Sequence, residues 1–312
     1  MRLLLFCLFA LAFFNQGIGQ TTELKDQTNQ KIDSSIELLH DNDFLFYTDR
    51  YYTTGSFIGW RKVSKLKSDS LNKLQYRLII GQEIYTPTNI IDTLIRKYDR
   101  PYAGFLGVSG GITSTNKKRI LDYRLLAGYT GLASGANAVQ SLFHENAAIG
   151  SKVPAWKGEI KTSFYLNLYF NYVREWKLQP NPFSAHMALV PKAALGNRDI
   201  YLQSDVVFYF GKRNGITNSS AYQQIGTFEK ELFFAIRLGY RYVFHNALLE
   251  GNVLGDSSLF LIQPYQNLFL YNFEIHRSGK RNSYMLRCNF STPEAFGTQP
   301  HLYASLSIIR GF

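Results

Sequence analysis

Several segments of this sequence alternate apolar and polar residues with a period of two, and arginine recurs on the polar side. The clearest segment is 163–172. Its apolar positions are Phe164, Leu166, Leu168, Phe170 and Tyr172. A period of two predicts β-strands with one apolar face. Arg237, Arg241 and Arg287 lie on the polar side of later segments. Arginines in a sandwich core are costly, so the pattern favours a barrel with a polar lumen and a lipid-facing wall.

The strand pattern continues to the C-terminus and predicts an all-β, transmembrane antiparallel β-barrel of about twelve strands, an even number as in single-chain bacterial barrels. The predicted strands are 36–47, 52–64, 73–86, 101–114, 118–131, 160–175, 183–195, 200–212, 230–245, 259–275, 281–291 and 301–311. Pro264 interrupts the tenth strand, whose alternation is poor. The last strand leads to Phe312, a terminal aromatic residue that is typical of outer-membrane barrels.

The N-terminus has the layout of a secretory signal peptide. Arg2 is followed by an apolar run too short to cross a bilayer as a helix, and small residues then lead to a cleavage site near Gly19. We therefore expect a signal peptide at 1–19, a polar lead-in at 20–35 and one barrel domain at 36–312. Cys288 is the one cysteine of the mature chain, which excludes an internal disulfide.

Composition and charge agree with an exported membrane barrel. The mean hydropathy of −0.15 and the aromatic content of 15% suit strands that alternate lipid-facing and lumen-facing residues. The formal charge of +11 comes without a nucleic-acid motif or a basic helix. It fits a protein that meets phosphorylated lipid headgroups in the bacterial outer membrane, with no nucleic-acid partner and a monomeric state.

The stretch from Leu132 to Lys157 breaks the strand pattern. Its small residues lead into Val139, Gln140, Phe143 and His144, a pattern that predicts a short helix between two strands. Gln140 and His144 are four residues apart and would project from one helix face. From the residue alone, His144 is more simply a solvated loop histidine than a catalytic one.

A second polar stretch, 41–60, interrupts strand-forming residues near the mature N-terminus. Two oxygen-rich clusters, Asp41 to Asp43 and Thr53 to Gly55, would lie at adjacent ends of a hairpin, where oxygen ligands from two strands suit a hard cation such as Ca²⁺. An ordinary polar turn is the simpler alternative. Asn42 and Asp43 are neighbours, so both can serve one site only if the strand bulges or ends there.

A series of motifs across residues 36 to 160 resembles the outer-membrane lipid A 3'-O-deacylase family (LpxR-type). The motifs are Asn42-Asp43, YTTG at 52–55, IYTP at 84–87, DRPYAG at 99–104, AVQSLFH at 138–144 and PAW at 154–156. They occur in the family's order, and the rest of the chain agrees only in being barrel strands.

The resemblance implies a twelve-stranded barrel with a site between the barrel wall and a helix-bearing loop, near the extracellular membrane boundary. It implies calcium-dependent ester hydrolysis that removes the 3'-linked acyloxyacyl group of lipid A in lipopolysaccharide. Carried over by position, the catalytic residues are His144 as general base, Asn42, Asp43, Thr53 and Gln140, and the expected metal ligands are Asp43, Thr53 and Gly55.

One departure concerns a Lys-Arg pair of the family, which here falls in the segment 89–93 without a basic residue. The nearest bases, Arg96, Lys97 and Arg100, are the candidates for substrate binding in its place.

Two alternatives from other classes stay open on sequence alone. One is a non-catalytic outer-membrane barrel, a narrow pore or structural protein that keeps the scaffold without the chemistry. The other is a soluble secreted β-sandwich that binds carbohydrate, against which the inward arginines and the terminal aromatic residue argue.

Overall fold

A computed structural model describes residues 32–65, 72–146, 152–180, 183–225 and 228–312 of the chain. The predicted signal peptide at 1–19 and most of the lead-in at 20–35 lie outside these residues. Within them, no helix has the length and apolar character needed to cross a membrane.

The described chain forms a closed antiparallel barrel of twelve strands, which confirms the predicted fold. The strands are β1 (Ser34–Asn42), β2 (Tyr51–Val63), β3 (Asn72–Thr86), β4 (Ala103–Asn116), β5 (Arg119–Thr130), β6 (Phe164–Lys177), β7 (His186–Gly196), β8 (Asp199–Lys212), β9 (Phe228–Asn246), β10 (Asn267–Lys280), β11 (Asn282–Ser291) and β12 (His301–Gly311). The helices are α1 (Ala136–Asn146) and α2 (Ala247–Glu250), and short 3₁₀ turns occur at Phe44–Phe46, Ile95–Lys97, Gly131–Ser134 and Ser220–Tyr222.

Each strand pairs with its neighbour in sequence, and β1 pairs with β12 to close the sheet. The closed sheet excludes the soluble sandwich. The largest errors in the predicted strand bounds are in β1 and β10. β1 ends at Asn42 instead of residue 47, and β10 begins at Asn267 instead of residue 259. Pro264 lies in the loop before β10, because proline cannot donate to a strand ladder.

The predicted faces of the strands are confirmed. Phe164, Leu166 and Leu168 lie on the outer face, each nearly half exposed, whereas Tyr165 and Asn167 between them are buried inside. Phe164 and its apolar neighbours therefore supply the lipid-facing surface that a membrane barrel requires.

Inward arginines are balanced by carboxylates in the lumen. Glu274 accepts hydrogen bonds from Arg237 at 3.3 Å, and its carboxylate lies 3.0 Å from Arg287. Asp205 pairs with Arg237 at 3.0 Å and with Lys192 at 2.7 Å. This pairing explains how the barrel interior tolerates charges that a sandwich core would not.

The two ends of the barrel differ in their connections. At one end the strands are joined by short turns such as 117–118 and by the segment 213–227. At the other end, here called the long-loop rim, they are joined by 43–50, 87–102, 131–163 and 247–266. In outer-membrane barrels the longer loops face the outside of the cell.

The Glu274 network allows a test of the lumen. Replacing Glu274 by Gln removes the counter-charge that Arg237 shares with the partly exposed Arg287. Because Arg237 keeps its ion pair with Asp205, we expect the barrel to lose at most about 3–5 kcal/mol of unfolding free energy. Urea unfolding in detergent, followed by the loss of the compact form on gels, measures it.

The matched control is Asp92→Asn, because Asp92 pairs with the exposed Lys97 at 3.1 Å on the surface. This change should alter unfolding little, since exposed ion pairs stabilise weakly. Equal effects of the two substitutions would contradict a stabilising role for the lumen network.

Candidate functional site at the long-loop rim

The site begins where β1 leaves the sheet. Asp43 has a helical backbone conformation, with φ of −90° and ψ of −8°, and the 3₁₀ turn Phe44–Phe46 follows it. The Asn42 side chain accepts a hydrogen bond from the backbone N–H of Phe44 at 2.7 Å. Such a local side-chain bond competes with the strand ladder, which is why the strand stops there although its sequence remains aromatic and aliphatic.

The early end of β1 separates Asn42 from Asp43. Asn42 donates to the Thr54 hydroxyl on β2 at 2.9 Å. The Asp43 carboxylate instead turns into the loop, where it accepts from the Thr48 hydroxyl at 2.8 Å and the Arg50 backbone N–H at 2.9 Å. For Asn42 and Asp43 to serve one site, the strand had to bulge or end at these residues, and β1 does end there.

A bulge in β2 places Thr53 in the same cluster. Tyr52 pairs with Tyr85 and Thr54 with Ile84, so Thr53 has no partner of its own on β3. Its hydroxyl lies 3.1 Å from an Asp43 carboxylate oxygen and 2.6 Å from an Asp49 carboxylate oxygen. One hydroxyl proton can serve only one of the two carboxylates at a time.

The cluster is short of positive charge. Asp43 is 1% exposed, and among the described residues it makes no ion pair with a lysine or arginine. Burial, with the nearby Asp49 carboxylate as a smaller contribution, raises the pKa of Asp43 from 3.8 to about 7. The hydrogen bonds from Arg50, Thr48 and Thr53 oppose that rise in the pKa.

The predicted helix is confirmed as α1, and it carries Gln140 and His144 on one buried face. The helix start packs closely on β4. A Cβ added at Gly104 would lie 2.2 Å from the Cβ of Ala136, so only glycine permits this approach. The close contact holds α1 against the barrel wall.

His144 meets the polar cluster through Asp49. Nε2 of His144 lies 3.3 Å from Oδ2 of Asp49, whose other oxygen accepts from Thr53. A continuous series of side chains thus runs from His144 through Asp49 and Thr53 to Asp43. The structure brings the predicted residues His144, Thr53 and Asp43 together. Asp49 connects them, and the sequence analysis did not name it as a site residue.

Gln140 is held by a tryptophan of the following loop segment. Its Oε1 accepts from Nε1 of Trp156 at 2.8 Å, and Trp156 stacks on Tyr102 at 5.0 Å between ring centroids. Nε2 of Gln140 is buried and makes no hydrogen bond with any described residue. Its amide protons therefore have no acceptor among the described residues.

Gly55 does not join the cluster. It pairs with Asp41 within the ladder, and a Cβ there would lie 1.9 Å from the Tyr52 hydroxyl. Gly55 leaves space for Tyr52 to donate to Asp41 at 2.7 Å, and the structure gives no support to it as a metal ligand.

The three predicted substrate-binding bases lie in different surroundings. Arg96 and Lys97 are exposed on the loop between β3 and β4. Arg100 is 1% exposed, donates to the Leu248 carbonyl at 3.1 Å and lies 3.5 Å from Glu294. Arg100 joins loops of the rim and is not presented to a substrate in this conformation.

The cluster offers part of a coordination shell for Ca²⁺. The described residues contain no group of three or more His, Cys, Asp and Glu side chains arranged to hold a metal ion. Asp43 and Thr53 nevertheless offer a carboxylate and a hydroxyl oxygen at a buried, anionic site. Calcium prefers oxygen ligands of this kind. Calcium takes six to eight oxygens, so backbone carbonyls, water or substrate would supply the remainder.

The chain is similar to known outer-membrane proteins. The family model described as "Outer membrane protein LpxR" matches residues 3–312. The solved structure of LpxR from Salmonella typhimurium superposes with a TM-score of 0.71 at 18% identity, covering 89% of this chain and 100% of that one. The β domain of the Bordetella autotransporter BrkA gives a TM-score of 0.43 at 11% identity, covering 90% and 99%. A comparison with curated proteins found no match.

The raised pKa of Asp43 leads to a pH prediction. Between about pH 4 and pH 7 the folded chain retains the Asp43 proton that the unfolded chain releases, so the free energy of unfolding should fall as pH rises through this range. The full change is at most about 4 kcal/mol. Urea unfolding in a chelator measures it.

Asp43→Asn is the control, because an amide cannot titrate. The variant should lose this part of the pH dependence, and an unchanged profile would show that Asp43 is not the responsible group.

Proposed function

Because the chain belongs to the LpxR family of outer-membrane proteins, we propose that it is an ester hydrolase that removes the 3'-linked acyloxyacyl group of lipid A. The observation that carries the proposal is the series His144, Asp49, Thr53 and Asp43, assembled at the long-loop rim beneath α1. A histidine, a carboxylate partner and an anionic oxygen cluster are the groups that metal-assisted ester hydrolysis requires.

The position of the site suits a lipid substrate. Asn42 follows the outward positions Ile36, Leu38 and His40 along β1, so it faces the membrane side of the wall and not the lumen. The long-loop rim is the extracellular end of such a barrel, where the outer leaflet carries lipopolysaccharide. A lipid ester can therefore reach His144 from the membrane without entering the barrel.

His144 acts as the general base in this mechanism. The neutral imidazole takes a proton from a water molecule that attacks the ester carbonyl carbon. Asp49 lies 3.3 Å from Nε2, orients the ring and stabilises the imidazolium that forms. The imidazolium then returns the proton to the sugar oxygen as the ester bond breaks.

Four further side chains support the reaction. Asp43 and Thr53 would hold Ca²⁺, which when bound polarises the ester carbonyl and stabilises negative charge on its oxygen. The Gln140 amide, held by Trp156, donates a hydrogen bond to the substrate beside His144. Asn42, held by Thr54, orients the lipid at the wall.

The lumen argues against the alternative of a narrow pore. The segment 213–225 lies in the short-turn end of the barrel, where the Gln223 amide donates to Glu37 at 2.9 Å and the Ile225 backbone N–H donates to Gln75 at 2.7 Å. The cavity above it has a volume of about 670 Å³, and its lining includes the ion pairs Arg77–Asp122 and Arg198–Glu83. These bonds favour a sealed lumen over an open channel.

Mass spectrometry of lipid A from cells that express the chain tests the activity. Wild type should release the 3'-linked chain. His144→Ala should slow release by about two to four orders of magnitude, since the general base is lost. Asp49→Asn should slow it by about tenfold or more, since the ring loses its orienting carboxylate.

His186→Ala is the matched control, because His186 also pairs with a carboxylate, Glu175 at 3.0 Å, but at the short-turn end. It should retain activity. Identical acylation patterns from wild type and His144→Ala, with folded protein in both, would contradict the proposed function.

Calcium is tested separately by binding and by removal. Chelation should abolish lipid A hydrolysis, and added Ca²⁺ should raise the melting temperature of the wild-type barrel through binding to the folded state. Asp43→Asn should remove most of that stabilisation. Full hydrolysis in excess chelator would exclude calcium from the reaction.

A further inference from the structure

A polar patch interrupts the apolar outer wall directly below the site. Cross-strand partners place His40, Ser56 and Gln82 side by side on β1, β2 and β3. The same row of partners continues in both directions with apolar or aromatic residues only. These are Leu306, Leu286, Ile275, Phe234 and Phe210 on one side and Leu106, Tyr129 and Phe164 on the other. The polar positions are thus confined to the three strands near α1.

Two residues of the patch form an exposed hydrogen-bonded pair. Nδ1 of His40 lies 3.0 Å from the Ser56 hydroxyl, and both side chains are exposed on the outer face. Leu38 and Ile58 follow toward the membrane centre and are more than half exposed. Polar groups next to such an apolar surface are costly unless a hydrogen-bonding partner reaches them.

The pair has a defined position relative to the reaction site. His40 and Ser56 lie two residues below Asn42 and Thr54 on the same face, a separation of about 7 Å along the strands. Asp43 follows Asn42 directly. A chain that leaves the reaction site toward the hydrocarbon therefore passes the pair within its first few carbons.

Gln82 marks the side of the patch where the helix-bearing loop meets the wall. Its amide nitrogen donates to the Ser134 carbonyl at 2.7 Å, just before α1. The contact anchors the loop at the height of His40 and Ser56. The polar patch thus lies beside the point where this loop is fixed to the barrel wall.

We propose that His40 and Ser56 form a specificity site that binds an oxygen on the β carbon of the substrate acyl chain. The inference rests on the proposed function and adds a recognition element to it. An acyloxyacyl chain carries such an oxygen close to the scissile ester, inside the apolar region. An unsubstituted acyl chain has none and would leave the pair without a partner.

The pair suits an ester or hydroxyl oxygen chemically. The imidazole and the hydroxyl can each donate or accept a hydrogen bond, depending on tautomer and rotation. A site built to bind a substrate oxygen discriminates against the analogue that lacks it, because its own polar groups are then left unpaired. The outcome is selection for β-oxygenated acyl chains.

Two synthetic lipid A analogues test the inference with the purified full chain in detergent micelles. One carries a 3-hydroxyacyl chain at the 3' position, and the other carries the unsubstituted chain of equal length. Both kcat/KM and equilibrium binding are measured for each. Wild type should favour the hydroxylated lipid by about tenfold in both measurements, the value of one hydrogen bond.

Variants assign the preference to the pair. His40→Leu and Ser56→Ala should abolish the preference by weakening use of the hydroxylated lipid relative to the unsubstituted one, and Ser56→Thr should retain it. Tyr129→Phe is the control, because it removes a hydroxyl from the same row on the far side of the loop. It should have no effect on selectivity.

The outcomes separate the two proposals. Equal binding of both lipids by wild type, or an equal loss for both lipids in the variants, would overturn the specificity site. Failure of wild type to hydrolyse either lipid would count against the proposed function alone, and the binding preference would still decide the role of His40 and Ser56.

Discussion

The structure depends on closing a β-sheet in a medium that offers no hydrogen bonds. Lipid cannot satisfy a free strand edge, so β1 must pair with β12 and every wall residue must stay in the ladder. The same requirement sends polar side chains inward, where Arg237 and Arg287 share Glu274. The apolar outer wall, the paired charges of the lumen and the closed strand pairing therefore follow from one constraint.

The candidate site occurs where that constraint is relaxed. At the rim the chain can leave the ladder, and it does so at Asp43 by a local turn and at Thr53 by a bulge. Both departures bring oxygen atoms together that a regular hairpin would direct to opposite faces. The cost is a buried carboxyl group at Asp43, and a cation or a proton would relieve it.

The outer wall departs from its apolar character in one place on the row of cross-strand partners that contains His40. Around most of the barrel this row is apolar, as the membrane requires. Its three polar members, His40, Ser56 and Gln82, lie on β1, β2 and β3, and Gln82 donates a hydrogen bond to the loop that carries His144. In the proposed function one lipid molecule would contact both these residues and the rim.

The amino-acid sequence by itself determined the number of strands, the face of each side chain and the helical spacing of Gln140 and His144, because these follow from local periods of two and 3.6 residues. It also indicated that Asn42 and Asp43 need an irregular strand. Only the tertiary structure decided where β1 ends, that Arg100 is buried, that Gly55 accommodates Tyr52, and that Asp49 is the partner of His144. Those outcomes depend on how separate loops pack at the rim, and no local period in the sequence records the distance between two loops.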